Sequence, residues 1–203
     1  MKTKEKIIQK ALELFNENGI EYVGMRELAA SIDMQIGNIT YYFPTKNDIV
    51  NQLALDLSDL NTKTLIPPDY LTMQSFLEMR RRTFENQYKY RCLFLSFVHL
   101  IKQNLAIAER YKKVEKEREN NLLNNITLLQ KGHYLKVISQ EDIDFLGAAI
   151  ALIARFWISE ASISYDHMSV ENKIHHYTKL IAQMLIPYAT RKGRMQIDDF
   201  LNK

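Results

Sequence analysis

Apolar residues recur every three or four positions along most of the chain, which is the spacing of one face of an α-helix. In the first such stretch, Lys4 to Gly19, the apolar stripe comprises Ile7, Ile8, Ala11, Leu12, Leu14 and Phe15. Gly19 follows at a position where helices commonly end in a residue with positive φ. Because only six glycines and four prolines interrupt 203 residues, the pattern predicts an all-α fold.

A helix-turn-helix is predicted between residues 25 and 46. The first helix covers about residues 25–31 and the second about residues 35–42. Ile39 and Phe43 lie four positions apart, so they share one face and can pack the second helix on the first. The other edge of that helix is polar and aromatic, which suits insertion into the major groove of DNA.

The order of these elements is an amphipathic helix, a glycine stop, a helical hairpin and an aromatic-Pro-x-Lys segment that opens a long helix. This order resembles the tetracycline-repressor (TetR) family of bacterial transcriptional regulators, and the matching segments are ALELFNENG, MRELAASIDM, Gly37, Ile39 and YYFPTK. The resemblance implies a three-helix DNA-binding head at residues 1–46 and a helical effector-binding and dimerisation domain at residues 47–203.

Candidate DNA contacts follow from the chemistry of the exposed edge. Arg26 can contact guanine through two hydrogen bonds, the alternative being a surface ion pair with a glutamate. Gln35 and Asn38 suit adenine, although Gln35 also stands where a side chain can cap the helix. Gly37 lets the backbone approach DNA closely. Lys46 can reach a phosphate as a point charge.

The resemblance adds further DNA contacts to this set. It implies that Thr40, Tyr41 and Tyr42 contact phosphate and sugar, and that Ile36 faces the groove, where it would touch a thymine methyl. The spacing of Ile36 from Ile39 instead suggests a core position, so both alternatives stand. This chain departs from the family in having Thr40 in place of an aromatic residue and Gly24 in place of a capping serine or threonine.

The charge distribution limits the kind of DNA binding. The formal net charge is +3, but the first 60 residues carry six Lys or Arg and nine Asp or Glu, a net charge of −3. A protein that coats DNA without regard to sequence needs a broad basic surface. We therefore expect a sequence-specific reader with weak non-specific binding and a modest dependence of affinity on salt.

Further helices are predicted after residue 46, with the clearest break at residues 61–69, where Pro67 and Pro68 are adjacent. Their ranges are Lys46–Leu60, Leu71–Tyr88, Arg91–Lys102, Asn104–Lys131, Glu141–Ser164 and Val170–Tyr188, followed by a possible short helix from Arg191. The run Arg80–Arg82 is predicted to be a solvated face. The segment Arg91–Lys102 is predicted to be buried, with His99 as a core histidine.

Glu141–Ser164 is the most apolar segment and raises the question of a membrane span. Its uninterrupted apolar run is only about 14 residues and contains Arg155, whereas a span needs about 20 apolar residues. No contact with a membrane is predicted. The resemblance implies that this helix and the next, the last two long helices, form a homodimer interface. Pairing by two-fold symmetry would supply a second DNA half-site.

The sequence together with the resemblance predicts a transcriptional regulator, most commonly a repressor in this family. It would bind a palindromic operator in double-stranded DNA and be released by a small apolar effector. Aromatic residues that could line the effector site, or simply fill the core, are Phe94, Phe97, Tyr134, Phe156 and Trp157. Two alternatives are a DNA-binding architectural or division-control protein without an effector, and a helical carrier of an apolar ligand.

No enzymatic chemistry is indicated by the sequence. It contains no glycine-rich phosphate loop and no nucleophile elbow, and its histidines lack metal-ligand spacing. Cys92, the single cysteine, lies in an apolar run, which is typical of an inert core thiol. We predict no catalytic residue, no metal and no cofactor. The amino end is charged and no apolar signal run follows, so we expect a cytoplasmic protein.

Overall fold

The structure, a computed structural model, describes residues 2–202, and these residues form eleven α-helices. The helices are α1 Thr3–Asn18, α2 Met25–Ser31, α3 Ile36–Tyr42, α4 Lys46–Thr62, α5 Met73–Lys89, α6 Arg91–Leu95, α7 Phe97–Gln103, α8 Leu105–Lys131, α9 Gln140–Ser164, α10 Val170–Leu185 and α11 Arg191–Leu201. Short 3-10 turns occupy Pro68–Tyr70 and Ile186–Tyr188. The all-α prediction is confirmed.

The ends of the first helices follow from local chemistry. Gly19 has φ 89° and donates its N–H to the carbonyl of Phe15, which ends α1 where the sequence predicts. Asp33, in the turn after α2, has φ 54°, a region that Asp tolerates better than most residues. At the start of α4, Thr45 and Asp48 form a reciprocal capping box: the Thr45 N–H donates to the Asp48 carboxylate and the Asp48 N–H to the Thr45 hydroxyl.

The chain divides into two compact units. The first contains the residues up to Thr62 together with Asn86–Lys112, so α4, α6 and α7 belong with α1–α3. Its core combines side chains from all of these helices, including Ile7, Phe15, Leu28, Ile39, Leu53, Cys92 and Leu100. This unit therefore extends beyond residues 1–46.

The second unit contains Lys63–Glu85 and the residues from Lys113 onward. A ladder of aromatic rings crosses its core: the ring centroids of Phe84 and Trp157 lie 5.1 Å apart, and those of Trp157 and Tyr177 lie 5.4 Å apart. These side chains come from α5, α9 and α10. Long aromatic side chains bury large apolar areas, so the ladder holds three helices of this unit together.

The segment predicted as one buried helix, Arg91–Lys102, is two short helices separated at Ser96. The Ser96 hydroxyl donates a hydrogen bond of 2.8 Å to the Glu21 carboxylate. The break changes which face of the segment meets the core, so Leu100 is buried while His99 is exposed. The prediction of a buried core histidine is therefore wrong.

By length and composition alone, α9 could cross a membrane, with a mean hydropathy of 1.5 over its most apolar 18 residues, of which 33% are buried. One such helix is weak evidence for a span, because the core helices of soluble proteins have similar compositions. Its Arg155 forms an ion pair with Glu115 of α8, within the second unit.

Candidate nucleic-acid interface

Helix α3 is held to the first unit by only one edge. Ile39 is fully buried, and Phe43, directly after the helix, is buried as well. The opposite edge is solvent-exposed, and Tyr41 retains 81% of its accessible surface. The structure thus gives α3 the single buried edge that the sequence predicts and leaves the other edge free to meet a partner.

The exposed edge carries two amides and two aromatic rings. The side chains of Gln35 and Asn38 are exposed and form no hydrogen bond with residues 2–202. Gln35 precedes the first residue of α3, but its side chain does not cap the helix. The rings of Tyr41 and Tyr42 meet edge to face, with centroids 5.1 Å apart. The amides are therefore available as hydrogen-bonding groups for base edges.

Arg26 lies in the first turn of α2 and is exposed. Within the part of the chain that the structure describes, it forms no ion pair with a carboxylate, which was the alternative to DNA contact. Its guanidinium is free to form two parallel hydrogen bonds to guanine or to phosphate.

The next three candidates occupy the start and middle of α3. Ile36 is exposed, which agrees with a groove-facing position rather than a core position. A Cβ added at Gly37 would have no neighbour within 4 Å, so packing within the protein does not require glycine there. Thr40 is half-buried, and its hydroxyl donates to the carbonyls of Ile36 and Gly37 at 3.2 Å each. A phosphate contact by Thr40 would have to compete with these bonds.

Lys46 has partners inside the first unit. Its Nζ donates to the main-chain carbonyls of Ile20 at 2.7 Å, Val23 at 3.2 Å and Glu21 at 3.4 Å. The ammonium therefore holds the loop between α1 and α2, which sets the start of α2. Contact of Lys46 with phosphate stays a prediction. In this geometry the ammonium would have to bind a phosphate alongside the three carbonyls, or release one of them.

Several amino-terminal lysines are also tied to the protein. Lys4 lies over the ring of Phe43 at 5.5 Å, Lys6 donates to the Ile32 carbonyl at 3.3 Å, and Lys10 pairs with a neighbouring glutamate at 3.1 Å. Such exposed contacts are weak and screened by salt. They leave few uncommitted cations beside α3, consistent with the expected modest electrostatic attraction to DNA.

The five aromatic candidates for an effector site are divided between the units. Phe94 and Phe97 belong to the first unit, where Phe97 packs edge to face on Tyr111 with centroids 4.9 Å apart. Tyr134, Phe156 and Trp157 belong to the second unit. Trp157 is 1% exposed and part of the aromatic ladder, while Tyr134 packs under the Lys192 ammonium, 4.0 Å from its ring centroid. Their part in effector binding stays a prediction.

Arg80 is half-buried and departs only in part from the solvated face predicted for residues 80–82. Arg81 and Arg82 form ion pairs with Glu78 on the surface of α5, as predicted for a solvated face. Arg80 instead lies on the apolar stripe, four residues after Phe76 and four before Phe84, and its Nε is buried without a hydrogen-bond partner among the described residues. That spacing was the signal that could have revealed its inward position.

Burial shifts the pKa values of the Arg80 guanidinium and the Cys92 thiol strongly. Burial and, to a smaller extent, charge repulsion by Arg118 together lower the pKa of Arg80 to about 10. Burial raises the pKa of the Cys92 thiol to about 12. Cys92 is thus buried and protonated at neutral pH, as expected of an unreactive core thiol.

Comparison with known proteins identifies both parts of the chain. Residues 7–53 match the family described as bacterial regulatory proteins of the tetR family, and residues 59–197 match the family described as bacterial transcriptional repressors. A stretch of 63 residues is 38% identical to the Probable HTH-type transcriptional regulator YttP of Bacillus subtilis (strain 168). That match spans 31% of this chain and 30% of the Bacillus protein.

Solved structures share the fold at low sequence identity. A TetR-family transcriptional regulator from Marinobacter aquaeolei VT8 is 19% identical, with a TM-score of 0.91 over 100% of this chain and 98% of that chain. PfmR, a TetR-family transcriptional regulator from Thermus thermophilus, is 16% identical, with a TM-score of 0.66 over 86% of this chain and 96% of that chain.

A protein from Saccharomonospora viridis, solved in complex with choline, is 17% identical, with a TM-score of 0.71 over 93% of this chain and 98% of that chain. Transcriptional regulators of this kind are not normally enzymes. The helix-turn-helix geometry, the all-α second unit and the two family matches lead to one conclusion: this chain belongs to the TetR family of bacterial transcriptional regulators.

Proposed function

We propose that this regulator is a cytoplasmic repressor that binds a palindromic operator as a homodimer and is released by a small effector with an apolar body. The observation that carries the proposal is the exposed edge of α3. It presents two solvent-exposed amides and two solvent-exposed tyrosines, and Arg26 of α2 is exposed as well, with no ion pair among the described residues. These are the groups that read base edges and hold the phosphate backbone.

A surface on α9 supports the homodimer. Phe145, Leu152 and Ile163 are exposed although apolar, and their spacing of seven and eleven residues places them on one face of the helix. Contiguous exposed apolar surface of this kind marks interaction sites. Pairing α9 and α10 with their copies in a second chain would cover it, and the two heads would then read two half-sites related by two-fold symmetry.

Release by an effector would work through a population shift. A dimer fits its operator only when the two reading helices are separated by about one turn of DNA, roughly 34–36 Å. A ligand that binds more tightly to a form of the dimer with a different separation of the reading helices shifts the population away from the DNA-binding form. The Saccharomonospora viridis neighbour, solved with choline, supports the view that this fold can hold a small molecule.

The test begins with selection of bound sequences from a random DNA pool. The affinity of the selected DNA is then measured for Asn38→Ala, Tyr41→Ala and Tyr42→Ala. Loss of a base or backbone contact should weaken binding by about 1–3 kcal/mol, which is roughly five- to a hundredfold. Tyr70→Ala is the matched control, since Tyr70 is 74% exposed but lies in the second unit.

The oligomeric state of each variant should equal that of the wild type, because none of these side chains lies on α9 or α10. If the pool yields no enriched palindrome, or if the three α3 variants bind the selected DNA as tightly as Tyr70→Ala does, the proposed reading helix is wrong.

A further inference from the structure

The second unit holds a cation that the fold does not neutralise. On α5, Arg81 pairs with Glu78 and Glu85, and Arg82 lies within reach of Glu78. Arg80 forms no ion pair with a carboxylate of residues 2–202, and its Nε is buried without an acceptor. A buried donor without an acceptor loses its hydrogen bonds to water and gains none in the protein, which is unfavourable, and more so when the group is charged.

The neighbours of Arg80 make this cation more costly. Charge repulsion by Arg118 of α8 contributes to the lowered pKa of Arg80, so a second guanidinium acts on this cation. The only described attractive contact of Arg80 is with the ring of Phe76, 5.3 Å from the guanidinium carbon. Folded proteins rarely keep such a charge without a partner. An anion bound beside the Arg80 guanidinium would satisfy both its charge and its free N–H.

A second unpaired polar atom lies on the aromatic ladder that begins one helical turn from Arg80. Phe84 follows Arg80 by four residues on the same face of α5, and its ring packs on Trp157. Trp157 packs in turn on Tyr177, whose hydroxyl is buried without a hydrogen-bond partner among the described residues. The ladder is buried, and it ends on a hydroxyl that is still able to donate.

We propose that Arg80 and Arg118 bind the anionic group of an amphipathic organic anion whose apolar body packs along Phe84, Trp157 and Tyr177. Carboxylate and phosphate oxygens both match the planar donor geometry of arginine. This inference rests on the proposed function, because the ligand would be the effector. It goes further by stating that the effector carries a negative charge. Arg80 remains protonated at neutral pH, since its lowered pKa of about 10 is still well above 7.

The single tryptophan gives a direct readout, because Trp157 is the only one in the chain and is part of the ladder. We would titrate the full chain with hexanoate, hexyl phosphate, 1-hexanol and hexylammonium at constant ionic strength, and follow Trp157 fluorescence and the melting temperature. Saturable binding of hexanoate or hexyl phosphate, at least about tenfold tighter than binding of the alcohol or the ammonium compound, is expected. Which of the two anions binds more tightly distinguishes carboxylate from phosphate.

Arg80→Gln should weaken anion binding roughly ten- to a hundredfold, because it removes the charge that pairs with the ligand. Arg82→Gln is the matched control on the same helix, since Arg82 is exposed, and should change the affinity less than about twofold. Arg80→Met is a second variant that tests whether the loss of binding comes from a folding defect. It replaces the unpaired cation with an apolar chain of similar length, so the ligand-free melting temperature should equal or exceed that of the wild type.

Preference for the neutral or cationic probe, equal anion affinity in Arg80→Gln and Arg82→Gln, or no binding of either anion at millimolar concentration would overturn the inference. Operator affinity, measured in parallel, separates the two proposals. If the protein binds its selected DNA but no anion, only this inference is overturned. If the protein binds the anion but selects no DNA, the proposed function is overturned.

Discussion

At the scale of single residues, Gly193 shows how closely two backbones approach in the second unit. A Cβ built on Gly193 of α11 would lie 2.0 Å from the carbonyl oxygen of Tyr134. The same carbonyl accepts the N–H of Thr190, and Thr190 caps α11 by accepting the N–H of Gly193. The start of α11 is therefore docked on the main chain that follows α8, and no larger residue fits at this position.

Gly193→Ala should lower the free energy of unfolding by about 1–3 kcal/mol, because the obstructing atom belongs to the backbone and cannot rotate away. Urea denaturation followed by circular dichroism measures the change. Gly37→Ala is the control, since a Cβ there meets nothing within 4 Å, and its unfolding free energy should be equal to or slightly above that of the wild type. Equal stability of the two variants would contradict the close approach.

Lys46 is the candidate DNA contact whose ammonium also forms hydrogen bonds within the first unit. Lys46→Ala removes a charged donor from three carbonyls and should lower the free energy of unfolding by about 1–3 kcal/mol. The variant should also bind operator more weakly, because the loop before α2 loosens. Lys63→Ala, a change at an exposed lysine, should alter stability by less than about 0.5 kcal/mol. Weakened operator binding at unchanged stability would instead indicate a purely phosphate-binding lysine.

At the scale of secondary-structure elements, polar contacts join the end of α1 to the start of α6 within the first unit. The Asn16 side chain donates to the Lys89 carbonyl at 2.9 Å and accepts the N–H of Cys92 at 3.0 Å. Directly after α6, the Ser96 hydroxyl donates to the Glu21 carboxylate in the loop after α1. These hydrogen bonds, in addition to apolar contacts, would therefore transmit a movement of α6 to α1.

Asn16→Ala tests this connection. Loss of both hydrogen bonds leaves two main-chain groups without partners and should lower the free energy of unfolding by about 1–3 kcal/mol. Asn18→Ala is the matched control on α1, because among residues 2–202 the Asn18 amide donates only to the Leu14 carbonyl of its own helix, at 3.3 Å. If chemical denaturation gives both variants the same stability, the Asn16 contacts do not hold α1 to α6.

At the scale of the whole molecule, the exposed apolar face of α9 has the strongest consequence for the proposed operator binding. Leu152 is 58% exposed and central in that face. Leu152→Glu should convert the proposed dimer to a monomer, because a dimer interface cannot bury an unpaired carboxylate without a large desolvation cost. Sedimentation velocity measures the change, and operator affinity should fall with it.

The control for this prediction is Val137→Glu, which places the same charge on an apolar residue of the second unit that is exposed outside α9. Its sedimentation coefficient should match that of the wild type. A Leu152→Glu chain that still sediments as a dimer would show that subunits pair through another surface.

Local pattern by itself determined the first five helices, including the helix-turn-helix, but not the break between α6 and α7. Helical spacing placed α1 to α5, and Ile39 and Phe43, four residues apart, defined the buried edge of α3 and hence the exposed one. These features depend on residues close in sequence: periodicity, a glycine stop, a Thr45 cap. That is why they could be predicted without knowledge of tertiary contacts.

Tertiary structure alone decided the positions at which residues distant in sequence meet. His99 is exposed because the helix breaks at Ser96, beside a glutamate 75 residues away. The ammonium of Lys46 lies on carbonyls more than 20 residues earlier in the chain. Arg80 turns inward because α5 presents that face to α9 through Phe84. Periodicity identifies the faces of a helix, but only packing between distant segments decides which polar group on a face finds a partner.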